Sequence, residues 1–303
     1  MALRQDIERI DPAAILTETD RDKKRQQMQY LARQCRVDVW DTIYDLQTGH
    51  WGGASSAAEL LAALYFHMLN VRPEEPRWPG RDRLVLSKGH ASCMYYAMLA
   101  NRGFFPLSRL CTFRRLHSDL QGHPCMVKLP CVDMSTGSLG HGLSVGLGMA
   151  MAAQALKARY RTFVIVGDGC LNEGQTWEAI MAAAKFRPHR LVLMVDYNKV
   201  QLDGPSEAIM PMDPLAEKLK AFGWNTAPRM YDGHRVGEIL QSWEWIQAQE
   251  PGPVAVVYQT HKGHGISFTS DQSRWHGCPI DRDSYIRGRA ELVQALNNTE
   301  AEQ

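Results

Sequence analysis

The chain has 303 residues, 45% of them hydrophobic, enough to bury a substantial core as one large α/β domain or two small ones. Its 34 basic and 33 acidic residues are mixed along the chain and leave a net charge of +1, so no basic stripe argues for nucleic acid or a membrane surface. The start MALRQDIERI lacks the apolar core of a signal peptide, and the longest apolar run, Leu143 to Leu156, is broken by glycines and Gln154 and is too short to span a bilayer.

Residues 1–20 read as a frayed N-terminal arm carrying Asp11-Pro12, followed by a single domain over 21–303. The three-and-four spacing of Met28, Leu31, Cys35, Val39, Ile43 and Leu46 predicts a helix with one buried face. Its charged start (Arg21, Lys23, Lys24, Arg25) is a solvated first turn. Gly49-His50-Trp51-Gly52-Gly53 breaks that helix, and Ser56-Ala57-Ala58-Glu59 makes a capping box for a second one over 57–69. His50, on this glycine-rich loop, is either ligand-facing or a plain turn histidine. After a proline-rich loop, Arg83 to Leu86 is a short strand that turns through Ser87-Lys88-Gly89-His90-Ala91 into an apolar helix. His123, between Gly122 and Pro124, is held in an extended or turn conformation. The loose set His123, Cys125 and Cys131, with Cys111 and His117 upstream, lacks the paired spacing of a zinc site, and ordinary buried or loop residues are the simpler reading. The seven cysteines form no CxxC pair and read as reduced thiols of a cytosolic protein.

The segment DMSTGSLGHG leads into a helix of small residues, Leu143 to Leu156, where Gly142, Gly146 and Gly148 allow another backbone to approach. The glycines before it leave main chain open to a flat ligand at Gly137 to Leu139. The strand Thr162 to Val166 then meets Gly167-Asp168-Gly169, and a helix follows in which Asn172 serves as N-cap with Gln175 at the third position. Trp177, Ile180, Met181 and Ala184 form its core stripe, with Glu173 and Glu178 off it. A second apolar run, Leu191 to Val195, ends at Asp196-Tyr197-Asn198. This βαβ unit places Asp168 and Asn198 at the carboxyl ends of two strands, the edge where open parallel sheets bind ligands. A carboxylate and an amide oxygen there, beside glycines and a helix start, suit a divalent cation carrying a diphosphate. His90 shares that edge if the strands are parallel. A helix from Asp213-Pro214 to Gly223, a strand from Asn225 to Tyr231, a helix from Val236 to Gln249, a valine-rich strand from Pro253 to Thr260 and a last helix from Asp283 to Leu296 complete the chain. Strands alternating with helices predict an α/β fold, a doubly wound, mostly parallel sheet with helices on both faces.

GDGCLNEGQTWEA with DYNKVQLDG, preceded by GHWGG, SKGHA and TGSLGHG and followed by KGHGISF and WHGCP, resembles the thiamine-diphosphate half of transketolase over about residues 20 to 290. The resemblance implies that Asp168, Asn198 and the Val200 carbonyl ligate Mg²⁺ or Ca²⁺, ions that prefer all-oxygen sets. It implies that the Gly169 amide and His90 contact the diphosphate, and that Gly137 and Leu139 offer backbone to the aminopyrimidine. His50, His123 and His276 resemble the substrate-channel histidines, with His276 also beside the cofactor. Imidazoles suit proton steps at neutral pH. His264 has no assigned role, and His141 stands where the family usually has glutamine. Glu173 and Glu178 resemble the carboxylates at the family's dimer interface.

A full transketolase is about twice this length, and its second domain supplies the glutamate that pairs with the pyrimidine and most of the groups gripping sugar phosphate. The chain therefore resembles the N-terminal subunit of a split transketolase, incomplete alone, that transfers a two-carbon ketol unit between sugar phosphates together with a C-terminal subunit in a cytoplasmic α2β2 assembly. The α subunit of a 2-oxo acid dehydrogenase is the nearest rival, followed by deoxyxylulose-phosphate synthase and by a non-catalytic cofactor-binding subunit.

Overall fold

Strands that are apolar on both faces must be covered on both faces, and Thr162–Gly167 and Leu191–Tyr197 are buried at every residue. The computed structural model describes residue 4, residues 6–249 and residues 251–298. In chain order the helices are α1 (Pro12–Thr17), α2 (Arg21–Leu46), α3 (Trp51–Ser55), α4 (Ala58–Ala63), α5 (Ser92–Asn101), α6 (His141–Ala155), α7 (Asp168–Leu171), α8 (Gly174–Phe186), α9 (Ser206–Ile209), α10 (Leu215–Ala221), α11 (Val236–Gln247) and α12 (Arg282–Asn297). The strands are β1 (Arg83–Leu86), β2 (Thr162–Gly167), β3 (Leu191–Tyr197), β4 (Asn225–Thr226), β5 (Tyr231–Asp232) and β6 (Val254–Gln259). All pair in parallel, in the order β1-β2-β3-β6-β4, with β5 also on β6.

Side chains two apart on a strand share a face, and each set enters a different core. Phe163, Ile165, Val192, Met194, Val254 and Val256 meet residues of α2, α4, α5 and α11, such as Val39, Leu60, Met94 and Ile239. Val164, Val166, Leu193, Val195, Ala255 and Val257 meet α6, α8 and α10 through Leu143, Ile180 and Leu219. The sheet is thus doubly wound, as its sequence pattern predicts. Helix α12 adds a layer outside α2, where the Trp40 indole donates to the Tyr285 carbonyl at 3.2 Å and Tyr44 stacks on Tyr285 at 3.8 Å.

Several local expectations give way to tertiary contacts. The first 20 residues do not fray as expected over their described part: Asp11 caps α1, Ile15 is fully buried, and Arg9 pairs with Asp38 at 2.6 Å. Helix α2 begins at Arg21, before its apolar stripe, because Asp20 accepts from the Lys23 amide. The capping box at Ser56 does not form, and the helix expected over 57–69 is divided into α4 and a π-helical turn, Leu64–Met68. Ser56 instead donates to the buried Asp196 carboxylate at 2.7 Å, and Glu59 is fully buried against Arg36. Asn172 does not cap α8: its side-chain oxygen accepts from Gln201 at 2.6 Å, while Gln175 donates to Ser144 at 3.1 Å. Met181 is 57% exposed, so the buried stripe of α8 runs through Thr176, Ala179, Ile180 and Ala183. The strand expected over 225–231 is two two-residue strands, since Pro228 between them has no N–H to give.

The glycines of α6 divide by face. A Cβ at Gly146 would lie 2.4 Å from Val164 Cγ2, so α6 rests directly on β2, whereas Gly148 faces open space. We expect Gly146→Ala to destabilise the chain by about 1–3 kcal/mol through overpacking, and Gly148→Ala to stabilise it by about 0.5–1 kcal/mol through helix propensity. Urea unfolding of both variants checks this, and shifts of the same sign would refute the seating of α6 on β2.

Candidate active site

Parallel pairing brings every strand's carboxyl end to one edge. The register Gly167↔Asp196 places Asp168, the next residue after β2, beside the end of β3 and Asn198. Asp168 is only 3% exposed. One carboxylate oxygen accepts from the Ser206 hydroxyl at 3.2 Å, and the other has no hydrogen-bond partner among the described residues. Burial, with Asp196 nearby, pushes the Asp168 carboxyl up to about 7. A buried carboxyl with a free oxygen can take a cation as its partner. The Asn198 side-chain oxygen accepts from the Val200 amide at 3.1 Å, and the Val200 and Gln201 carbonyls each accept from the Lys262 ammonium at 3.0 Å. Asp168, Asn198 and Val200 are thus oxygen donors on adjoining turns, a set that fits a hard divalent ion.

Four imidazoles gather at the same edge. Ring centroids are 4.9 Å apart for His90 and His276, 5.3 Å for His50 and His276, 5.5 Å for His50 and His90, and 6.3 Å for His50 and His123. Arg114 donates to His50 Nδ1 at 3.1 Å and Lys262 approaches His276 Nδ1 at 2.8 Å. A guanidinium and an ammonium can only donate, so each neutral ring carries its proton on Nε2. Burial and the Arg114 charge lower His50 to about 4, and burial and the Lys262 charge lower His276 to about 3. Burial and Lys88 hold His90 well below the ordinary value, and burial with Arg114 lowers the more exposed His123. All four are neutral donors and acceptors near pH 7. Burial and Lys88 bring the Lys262 ammonium down to about 8.

The surrounding backbone leaves room for these rings. A Cβ at Gly53 would stand 2.9 Å from His90 Nε2, so only glycine fits there. Gly137, at φ +148°, lies against the His123 ring, and Leu139 lies against Gly169, so the 137–139 and 167–169 turns meet at this edge.

Other expected residues lie elsewhere. His141 opens α6 and is exposed. His264 turns away from the four imidazoles and stacks on His234, with centroids 3.6 Å apart. Glu173 and Glu178 are exposed on the start of α8. His123, Cys125 and Cys131 do not converge as a metal site among the described residues, and all seven cysteines are free. The sequence reasoning passed over Lys88, Asp196 and Lys262. Lys88, 2% exposed, donates to the fully buried Asp196. Burial would raise the Asp196 carboxyl, but Lys88, Thr260 and Ser56 together hold it below the ordinary range. One signal was available, since Lys-Gly-His occurs after β1 as Lys88-Gly89-His90 and again after β6 as Lys262-Gly263-His264.

A family model described as "Transketolase, thiamine diphosphate binding domain" matches residues 27–295. The chain is 40% identical over 265 residues to the 6-deoxy-6-sulfo-D-fructose transketolase subunit SqwG of Clostridium sp. (strain MSTE9), covering 88% of this chain and 96% of that protein. It is 34% identical over 267 residues to an apulose-4-phosphate transketolase subunit of Phocaeicola vulgatus, covering 88% of this chain and 94% of that one. A solved transketolase from Leishmania mexicana superposes with a TM-score of 0.79 at 25% identity, over 90% of this chain but 45% of its own. With the family model matching most of its length, the chain belongs to the transketolase family and matches its thiamine-diphosphate-binding domain.

Proposed function

We propose that the chain is the cofactor-binding subunit of a two-subunit transketolase, holding thiamine diphosphate through Mg²⁺ or Ca²⁺ and moving a two-carbon ketol unit from a ketose phosphate to an aldose phosphate. The observation that carries this reading is the buried Asp168 oxygen without a partner among the described residues, on the strand edge that also presents Asn198, the Val200 carbonyl and four neutral imidazoles.

In this reading Asp168, Asn198 and the Val200 carbonyl hold the cation, and the Val200 oxygen has a second lone pair beside the one given to Lys262. The Gly169 amide and His90 contact the diphosphate, while the main chain of Gly137 and Leu139 meets the aminopyrimidine. When bound, thiamine diphosphate supplies a nucleophilic carbon and an electron sink for breaking the bond beside a ketose carbonyl. His50, His123 and His276 line the substrate channel. The Nε2–H groups of His50 and His276 donate to substrate oxygens, because Arg114 and Lys262 hold their Nδ1 atoms. Burial and the neighbouring positive charges keep these rings uncharged, so they serve as neutral hydrogen-bond donors.

A partner follows from lengths and from surface. Two relatives of this chain's size are called subunits, whereas the Leishmania transketolase is about twice as long. Exposed Glu173 and Glu178 on α8 lie with exposed Met181, and exposed Val145 and Met151 stand on neighbouring α6. That surface suits assembly into an α2β2 tetramer with a C-terminal subunit supplying the pyrimidine-binding half. Among the described residues no helix is long and apolar enough to cross a membrane, and the free thiols accord with a cytoplasmic setting.

Two experiments test the reading. Calorimetric titration with thiamine diphosphate and Mg²⁺, on the chain alone and with its partner, should show Asp168→Asn weakening binding by more than the roughly 10–100-fold typical of removing an outer-shell partner. Chelation should abolish binding to the wild type, and unchanged Asp168→Asn affinity would sink the metal assignment. Co-expression with the C-terminal half should yield ketose-to-aldose transfer that neither half shows alone. Decarboxylation of 2-oxo acids without ketol transfer would instead identify a 2-oxo acid dehydrogenase subunit.

A further inference from the structure

A charge buried inside a protein must be paired, and one such pair lies behind the site. Arg36 of α2 is 2% exposed and Glu59 of α4 is fully buried. The guanidinium meets both carboxylate oxygens at 2.5 Å and also donates to the Ser55 carbonyl at 2.9 and 3.2 Å. Burial alone would raise the Glu59 carboxyl, but Arg36 and His234 hold it far below the ordinary range, so it stays charged. One of its oxygens lies 3.4 Å from His234 Nδ1.

The other nitrogen of His234 fixes the chemistry. Its Nε2 accepts the His261 backbone N–H at 2.8 Å, so Nε2 carries a lone pair and the proton sits on Nδ1, facing Glu59. The far end of the same turn is tied to the same place. The His264 ring stacks on His234 with an interplanar angle of 11°, and the His264 carbonyl accepts from the Ser55 hydroxyl. Between these two anchors lies Lys262, whose ammonium reaches the Val200 and Gln201 carbonyls and His276.

A metal ion is the alternative occupant, since the ligand atoms of Glu59, His234 and His264 lie within 4.8 Å of one another. Both Glu59 oxygens are already held by the Arg36 guanidinium, and both His234 nitrogens are engaged. A cation here would displace one positive charge to make room for another.

We propose that His234, oriented by the Arg36–Glu59 pair, is a positioning residue: as the Nδ1–H tautomer it fixes the His261–His264 turn and so places Lys262 on the 198–201 turn and on His276. His234 touches neither ligand nor substrate and acts through this turn. The inference rests on the cofactor site proposed above.

The test uses the full chain. Nitrogen-15 NMR of histidine-labelled protein, with His234 assigned by the signal lost in His234→Gln, should show an unprotonated Nε2 and a protonated Nδ1. In calorimetry with thiamine diphosphate and Mg²⁺, His234→Leu should lose about 10–100-fold in affinity, as removal of an outer-shell partner does. His234→Gln, whose side-chain oxygen can accept the His261 N–H, should recover most of that loss. A wild-type Nε2–H tautomer, or Gln and Leu variants that bind alike, would overturn the proposal. If the wild type itself does not bind the cofactor, the proposed function falls separately. Faster exchange of the His261 amide in the Leu variant than in the Gln variant would still support the tether, and equal exchange would overturn it.

Discussion

The Asp196 carboxylate is the constraint on which the ligand edge depends. It lies one residue before the end of a central strand, has no exposure to water, and accepts from Lys88 after β1, Ser56 between α3 and α4, and Thr260 after β6. Removing two opposite charges from water costs several kcal/mol each, and only good geometry with further hydrogen bonds offsets that. Asp196 has both. The consequence is architectural: three strand ends and a helix junction are held at a common origin, from which Asp168, Asn198, His90 and Lys262 project. Losing one partner of such a pair costs about 3–5 kcal/mol, because the other charge is left buried alone.

The charge balance at this edge follows from the same arrangement. Lys88, Lys262 and Arg114 bring positive charge close to the imidazoles, and burial adds to their effect, so His50, His90 and His276 are uncharged well below neutral pH. Asp168 moves the other way, because burial and Asp196 both oppose its ionisation. A divalent cation would reverse that balance by giving both oxygens a partner and making the charged form the stable one. Under the proposed function, this edge would take an anion carried by a cation, with neutral rings beside it as hydrogen-bond donors.

Where local signals and tertiary demands met, the tertiary demand prevailed whenever a buried charge was at stake. Ser56 and Glu59 have the spacing of a capping box, worth about 1 kcal/mol at a helix start. Asp196 and Arg36 would each lose more if left without partners, so Ser56 and Glu59 serve them instead. Asn172 was drawn from α8 by a hydrogen bond from the Gln201 amide, which closes the loop behind Asn198 onto the loop behind Asp168. Met181 was misplaced by period alone: it satisfies helical spacing, but it is exposed, and α8 buries Thr176, Ala179, Ile180 and Ala183 instead.

The amino-acid sequence by itself determined the alternation of strands and helices, the two-sided burial of the sheet, and the motifs that single out Asp168, Asn198 and the histidines. These are properties of neighbouring residues, written as period, turn chemistry and spacing. Only the tertiary structure decided which histidines stand together. His50, His90, His123 and His276 come from four separate loops and converge, whereas His264, two residues from Lys262, faces a different cluster. It alone also revealed Lys88, Lys262, Asp196 and the Arg36–Glu59–His234 chain, whose partners are far apart in sequence. Pairing of buried charges is a matter of distance in space, and no local pattern along the chain encodes it.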